Sequence, residues 1–463
     1  MAMKKRSLQG WIVLIAAAVL SGCSGDSGEK LCVTQSIALN TVSPYYDGQW
    51  QGIIAASDGA CYFGTSSHTL VHGGGFFRFD PRTEQFDVLV EDWSLLAGYT
   101  PSAEQTPQGK CHSPIVEVDG TLYLSTHIAA YWKPVLDKYP GSYILAYDTR
   151  NRQWRNYGIV KPRYSTYSAV EVDPGRGKIY AMIVPFAPQD KEVDGNHLYS
   201  IDMESGEKQD LGRVSDGKGN FWFYMDHRGR VWSPIWQGTG KLHCYDPETG
   251  VITTHEDAFP EAKLAPDGKT VENPRMKGKA WTWAQPIEGR RKCLFTMGDL
   301  GGGDERLWLF DPEKDIASKE AFTPLCYIGS TFLSVAHAGD RLYFIQRGDL
   351  ESNRDYSTEG NRDLPPDENG YHVNNLHLKS VSLDPGDGYR IVDHGRIIDQ
   401  EGRTPGYLGS LAADGQGNVY MNGSWLVREG DQPTLKYIYD EDRYEGLSRG
   451  EFFAWVNVRK DLE

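Results

Sequence analysis

An apolar segment that runs directly into an aspartate recurs along this chain. The seven aspartates stand at intervals of 44 to 73 residues and are Asp80, Asp148, Asp202, Asp246, Asp311, Asp384 and Asp440. Because an Asp carboxylate accepts backbone N–H groups two residues on, it suits a tight turn between strands. A strand, such a turn and a second strand at this period are typical of the outer hairpin of a β-propeller blade. The sequence therefore predicts an all-β fold, a seven-bladed β-propeller with four-stranded antiparallel blades around a central channel.

The inner hairpins of the blades are also indicated by their turns. Asp-Gly and similar pairs tolerate positive φ and are strong hairpin signals. They predict inner turns at 58–59, 119–120, 173–177, 227–229 and 288–290. These turns are expected on one face of the propeller, and the functional mouth of the channel on the other. Two segments compete to close the ring, LCVTQSIAL near the start and FFAWVNV near the end.

Residues 1–23 have the layout of a lipoprotein signal peptide. Basic residues at 4–6 precede an apolar run at 11–20, and Cys23 follows a small-residue processing site. The run is too short to cross a bilayer of ~30 Å as a helix. We expect a lipid anchor at Cys23 and a place in a Gram-negative cell envelope, on the outer membrane or facing the periplasm; an ordinary secretory signal is the alternative. The expected segments are a signal peptide at 1–23, a flexible spacer at 24–35 and the propeller at 36–463.

Composition excludes some classes of partner. The net charge of −15 argues against nucleic acid binding, which needs a basic surface, and mildly against polyanions unless cations gather at the channel mouth. The six cysteines other than Cys23 form no CxxC pair, so no zinc knuckle or thioredoxin-like site is indicated. We expect a monomer.

Two histidines of the second blade carry the candidate chemistry. His112 lies seven residues before Asp119, and His127 lies seven residues after Gly120. Across an antiparallel hairpin these positions are nearly opposite, so both imidazoles are expected to meet at the channel mouth. Polar residues that only cap the strands are the alternative. The same mouth is expected to receive His68 from the first blade and, from the third, Arg163, Tyr164, Thr166 and Tyr167.

Such a group suits the β-elimination of a uronate-containing polysaccharide. Removing the proton α to a carboxylate needs a base within hydrogen-bond reach, a cation on the carboxylate and an acid for the leaving oxygen. Histidine or tyrosinate can be the base, and tyrosine the acid. Two other chemistries stay open: one divalent metal ion held by both histidines, and glycoside hydrolysis by paired carboxylates, which is weaker because no acidic pair falls at matching positions.

With these residues the chain resembles the bacterial seven-bladed propeller polysaccharide lyases of the ulvan lyase and rhamnose–glucuronate lyase type. The resemblance implies that His112 and His127 are the paired catalytic histidines and that Tyr167 or Tyr164 is the catalytic tyrosine. It also implies a substrate contact for Tyr224. The arginine that neutralises the uronate is expected in KIYAMIVPF, which contains none. Arg163 or Arg275 is expected to replace it.

Similar families keep two further readings open. Oligogalacturonate lyases of this shape use a metal with histidine ligands, so no cofactor is required but a divalent metal ion remains an alternative. A related rhamnosidase family implies hydrolysis instead. Trp222 and Arg347 are further candidates for substrate binding, since an aromatic face suits a sugar ring. The rival from another class is a non-catalytic glycan-binding surface lipoprotein that captures acidic polysaccharide.

Overall fold

The computed structural model describes a chain built almost entirely of strands and turns. The described residues are 30–130, 136–185, 195–215, 222–234, 240–260, 281–299, 302–328, 335–347, 376–426, 433–438, 443–447 and 449–462. None of the helices in these ranges has the length and apolar character needed to span a bilayer. The predicted signal peptide, with Cys23, therefore lies outside the described part.

The first sheet follows an N-terminal strand, β1 (Leu31–Ala38), and a 3-10 turn, Leu39–Thr41. Its four antiparallel strands lie in chain order: β2 (Ile53–Ala55), β3 (Cys61–Gly64), β4 (Phe76–Asp80) and β5 (Gln85–Val90). A short helix, α1 (Trp93–Leu96), comes next, and Asp92 caps it by accepting the Ser94 N–H.

The second sheet carries an extra pair of strands on its inner hairpin. That pair is β6 (Gln108–Lys110) and β9 (His127–Ile128). The sheet itself consists of β7 (Val116–Val118), β8 (Thr121–Ser125), β10 (Tyr143–Asp148) and β11 (Gln153–Ile159).

Three more sheets repeat the four-stranded antiparallel order. The third contains β12 (Ser165–Asp173), β13 (Lys178–Val184), β14 (Asn196–Asp202) and β15 (Lys208–Ser215). The fourth contains β16 (Tyr224–Met225), β17 (Val231–Pro234), β18 (Leu242–Asp246) and β19 (Val251–His255). The fifth contains β20 (Trp281–Ile287), β21 (Lys292–Asp299), β22 (Gly302–Phe310) and β23 (Phe322–Tyr327).

The remaining strands form one continuous eight-stranded sheet and a separate hairpin. The large sheet contains β1 with β24 (Val335–Ala338), β25 (Arg341–Arg347), β26 (Leu376–Ser382), β27 (Ile391–Asp399), β28 (Pro405–Ala413), β29 (Asn418–Leu426) and β32 (Arg449–Asn457). The separate hairpin lies between β29 and β32 in the chain and consists of β30 (Thr434–Ile438) and β31 (Arg443–Leu447). Two more 3-10 turns lie at Pro385–Asp387 and Arg459–Asp461.

Strand β1 makes the large sheet continuous, so seven separate sheets, as the sequence predicts, are not seen. Its first half runs parallel to β27, with Leu31 opposite Arg396. Its second half runs antiparallel to β32, with Gln35 opposite Trp455. The two segments that competed to close the ring therefore pair with each other.

Six of the seven Asp-led turns join the third and fourth strands of a four-stranded unit. The carboxylates accept the backbone N–H two residues on, as at Asp80 (3.1 Å from Arg82 N), Asp246 (2.9 Å from Glu248 N) and Asp384 (2.8 Å from Gly386 N). The seventh, Asp440, lies outside the described residues, and the hairpin that contains it is not an outer hairpin of the ring. The strands on either side of Asp440 form the separate β30–β31 hairpin, and β32 and β1 stand at the expected position of the last outer hairpin.

Apolar side chains pack between consecutive sheets and arrange them like the blades of a propeller. The first sheet meets the last through Phe63 and Phe453, whose stacked rings have centroids 4.3 Å apart. The inner strands enclose a central cavity of about 500 Å³. Near its inner turns, the Arg290 guanidinium binds both carboxylate oxygens of Glu171, at 3.3 and 3.2 Å. The structure is thus an all-β, propeller-like arrangement of small antiparallel sheets.

The Asp-led turns predict a measurable contribution to stability. Asp80 is 6 % exposed and accepts bonds from the Arg82 backbone and from the Arg78 and Arg82 guanidinium groups. Asp80→Ala is expected to lower the free energy of unfolding by about 2 kcal/mol, because it leaves these donors without their charged acceptor. Urea unfolding measures it. The control Asp246→Ala, in an exposed turn, should cost less; an equal loss would contradict this interpretation.

Candidate active site at the histidine pair

The pairing around His127 differs from the regular hairpin register. That register, counted from the turn at 119–120, places His112 opposite His127. In the structure, Val116 still faces Tyr123, but Lys110 is the partner of His127. His112 is therefore displaced by two residues from the place opposite His127 that the regular register gives it.

The shift arises because residues 111–115 leave the ladder. Cys111 packs under the first sheet, where two glycines leave room for it. A Cβ on Gly64 would lie 2.5 Å from the Cys111 Cβ, and a Cβ on Gly52 would lie 2.7 Å from its sulfur. Pro114 has no N–H to contribute to a ladder. The local packing thus absorbs two residues that a regular hairpin would have paired.

The two imidazoles nevertheless meet, inside a cluster of aromatic and basic side chains. The His112 and His127 rings have centroids 5.4 Å apart at an interplanar angle of 65°. Trp50 stacks on His112 at 5.6 Å and 5° and meets the edge of His68 at 5.4 Å. The Lys110 ammonium lies 5.2 Å from the Trp50 ring centroid. We call these five residues the histidine site.

Hydrogen bonds to the third sheet fix the orientation of His127. Its Nδ1 lies 3.0 Å from the Thr166 carbonyl oxygen and 2.6 Å from the Ser165 Oγ. A carbonyl oxygen accepts only, so the proton is assigned to Nδ1. Nε2 is then the basic nitrogen of the neutral ring.

A buried chain of polar side chains supports Ser165. The Gln108 Oε1 accepts the hydroxyls of Thr126 at 2.6 Å and Tyr139 at 2.9 Å. The Tyr139 hydroxyl lies 3.0 Å from the Ser142 Oγ, which lies 2.8 Å from the Ser165 Oγ. All five side chains are at most 2 % exposed. A hydrogen-bonded buried network of this kind is rigid, and through Ser165 it fixes the position of the His127 ring.

His68 is held by a carboxylate from the segment that precedes the first sheet. Its Nδ1 lies 2.8 Å from the Asp47 Oδ1, which also accepts the His68 backbone N–H. The Asp47 Oδ2 is buried without a hydrogen-bond partner in the described part of the chain. Such an atom carries a desolvation cost that a bound water or ligand would relieve.

Burial keeps both paired histidines neutral. It lowers the pKa of His112 to about 3, and the charge of Lys110 acts in the same direction. Burial also lowers the pKa of His127 well below its ordinary value, with further contributions from His112 and Lys110. Both rings are therefore proton acceptors at pH 7.

The third sheet supplies fewer groups to the histidine site than the sequence suggests. Tyr164 is 9 % exposed and packs in the apolar cluster between the second and third sheets, with the Lys161 ammonium 4.0 Å from its ring centroid. Arg163 lies in an exposed turn with a φ of 69°. Tyr167 belongs to β12, but its side chain is outside the described atoms.

Two other candidates lie elsewhere in the molecule. Tyr224 is fully buried, and its hydroxyl donates to the Arg290 carbonyl at 2.7 Å, beside the inner turn of the fifth sheet. The sequence hypothesis that it contacts substrate at the mouth is not supported by this packing. Trp222 lines the central cavity, and its carbonyl accepts the Trp281 indole N–H at 2.7 Å.

The side chains of two arginine candidates, Arg347 and Arg275, lie outside the described atoms. Arg347 ends β25, but its side chain is outside the described atoms, and Arg275 lies wholly outside the described residues. The central cavity is lined by Gln51 and Pro114, neighbours of the histidine site in sequence, but neither paired histidine lines it. The histidine site is therefore beside the channel rather than within its cavity.

Sequence reasoning missed Trp50, Lys110 and Asp47. Trp50 and Asp47 precede the first hairpin, where no strand pattern aligns them with other residues. Lys110 becomes a neighbour of His127 only through the two-residue shift. The one available signal was its position two residues before His112.

The divalent metal ion that the sequence keeps open as an alternative has no three-ligand group among the described side chains. No group of three or more His, Cys, Asp or Glu side chains suited to a metal ion occurs in the described ranges. The His127 Nδ1 is engaged by Thr166, and the nearby Asp47 carboxylate is engaged by His68. The two imidazoles alone do not fit the four ligands usual for an ion such as Zn²⁺.

Comparisons with known proteins give matches among solved structures alone. No protein-family model matches the sequence, and no curated protein matches it. Similar solved structures include an inactive virginiamycin B lyase from Staphylococcus aureus with quinupristin (10 % identity, 91 % of this chain and 99 % of that chain, TM-score 0.48). Others are an oligogalacturonate lyase in complex with manganese (11 %, 90 % and 92 %, 0.46) and the GH74 enzyme of Niastella koreensis (12 %, 84 % and 52 %, 0.49). At these identities and scores no residue role is transferred.

The neutral histidines predict a pH dependence of stability. Below the ordinary histidine pKa of about 6.5 the unfolded chain binds protons that the folded chain does not. The free energy of unfolding is therefore expected to fall on acidification, by up to about 1.4 kcal/mol per pH unit for each histidine. Urea unfolding of the wild type and His112→Asn at pH 7, 6 and 5 measures the slope. The variant should show the shallower slope; equal slopes would mean that His112 is not held neutral.

Proposed function

We propose that the protein is a polysaccharide lyase that cleaves a uronic-acid-containing polysaccharide by β-elimination at the histidine site. The observation that carries this proposal is the contact between two neutral imidazoles beside a buried lysine. A neutral imidazole is the form that removes a proton, and a cation is the group that stabilises the enolate-like charge formed next.

We also propose to count the fold as a seven-bladed propeller. The central cavity is lined by residues on or beside seven inner strands, β2, β7, β12, β16, β20, β24 and β28. Seven apolar clusters separate consecutive four-stranded units. On this count the eight-stranded sheet is the sixth blade joined to the seventh through β1.

In the proposed reaction, the Nε2 of His127 takes the proton from C5 of the uronate. The electron pair released forms the C4–C5 double bond while the C4–O4 glycosidic bond breaks. The leaving oxygen takes a proton from an acid, for which we propose Tyr167. His112 packs against the base and keeps water from it.

Access to the base requires a side chain to move. His127 is 0 % exposed and His112 is 6 % exposed. Trp50 is the partly exposed ring that stacks on His112, so its displacement would open the histidine site to a sugar. The same burial favours the second candidate function, a glycan-binding protein in which the histidines are structural.

The elimination is tested by ultraviolet absorbance during incubation with a panel of uronate polysaccharides. The conjugated unsaturated uronate absorbs, so a rise establishes elimination. His127→Ala is expected to lower the rate by at least about 100-fold, the contribution of a positioned base. His243→Ala, which removes another buried histidine in β18, is the matched control and should retain the rate.

Three other results of this assay would each favour a different function. Loss of absorbance change with a chelator would restore the metal mechanism. New reducing ends without absorbance would indicate hydrolysis of the rhamnosidase type. No turnover, with retention on a glycan column, would favour the binding protein.

For its location we propose a lipid anchor at Cys23 in a Gram-negative envelope, with acidic polysaccharide as the partner. Cys23→Ser is expected to move the protein from the membrane fraction to the aqueous phase of a detergent partition, because it removes the acylated thiol. Mass spectrometry of the N-terminal peptide provides the control. An unmodified Cys23 in the wild type would exclude the anchor.

A further inference from the structure

Lys110 is a buried cation at the centre of the histidine site. It is 2 % exposed, and its place opposite His127 in the β6–β9 pair puts both side chains on one face. Its ammonium also lies 5.2 Å from the centroid of Trp50, the ring stacked on His112. Lysine is rarely buried to this degree, because removing an ammonium from water is costly.

The described arginines that could share this role lie away from the two imidazoles. Arg290 binds Glu171 at the opposite end of the channel, and Arg163 is exposed in its turn. The strand β13, where the sequence resemblance places a neutralising arginine, contains none. Lys110 is the buried cation that stands beside both imidazoles.

We propose that Lys110 receives the carboxylate of the uronate during the reaction. This inference rests on the proposed function and assigns the group that neutralises the substrate. A carboxylate bound to Lys110 places its α carbon next to the imidazole that removes the proton. The ammonium then stabilises the second negative charge that develops on the carboxylate oxygens as the C5 proton leaves.

The same contact would strengthen the base. In the free protein, burial and the charge of Lys110 keep the imidazoles weakly basic. An incoming carboxylate offsets that charge and favours imidazolium formation. Substrate binding therefore raises the basicity of the histidine that acts on it, while that histidine stays neutral until it takes the C5 proton.

The test compares Lys110→Met with the wild type on a uronate polymer and on its methyl ester. Methionine keeps the stem of the side chain and removes its charge. Lys379→Met is the matched control, since Lys379 is a buried strand lysine (8 % exposed) that donates to the Gln346 side chain instead. Circular dichroism and thermal unfolding confirm that both variants fold.

On the charged polymer, Lys110→Met should lower kcat/KM by about 10²- to 10³-fold, the effect of removing one stabilising donor. On the methyl ester, which carries no carboxylate to neutralise, the loss should be less than about tenfold. Lys379→Met should lose activity on neither. An equal loss of Lys110→Met on both polymers, or no loss on either, would overturn the inference.

A binding measurement separates this inference from the elimination itself. If no polymer in the panel is cleaved, the proposed reaction fails, and titration calorimetry of wild type and Lys110→Met with polygalacturonate decides the role of Lys110. Binding that weakens at least tenfold in the variant supports it. Equal binding by both proteins, or no binding by either, refutes it.

Discussion

The pairing of the first described strand with the last holds this structure together. Gln35 of β1 faces Trp455 of β32, and residues of the same strand pair with β27. The stacked rings of Phe63 and Phe453 join the first sheet to the last beside it. Apolar clusters pack each sheet against the next, so this junction turns a row of sheets into a ring around the central cavity. The orientation of every inner strand toward the channel depends on that closure.

Much of the fold was predictable because its signals are local. An aspartate whose carboxylate accepts the N–H two residues on acts within a single turn, and six such turns lie at the predicted positions. The same locality explains the error at Asp440. A hairpin outside the ring has the same sequence pattern as one inside it, and the long-range pairing of β1 with β32 distinguishes them.

The site was predictable in part for a related reason. Counting from a tight turn brought His112 and His127 together, and their rings do meet. Lys110 was missed because its place depends on how Cys111 fits against Gly52 and Gly64 in a different sheet. Tyr224, which the resemblance suggested, is a core residue whose hydroxyl is held by a carbonyl. Pattern alone does not say on which side of a sheet a polar group finds its partner.

The two-residue register shift in the second sheet determines which side chain lies opposite His127. Side chains alternate along a strand with a period of two, so a shift of two residues leaves the inward-facing set unchanged. Lys110 thus takes the position beside His127 that a regular ladder would give His112, while residues 111–115 carry His112 out of line and still into contact. A shift of one residue at Lys110 itself would turn the lysine to the other face of the strand. Residues 111–115 lie outside the ladder, so a change in their length leaves Lys110 in its place opposite His127.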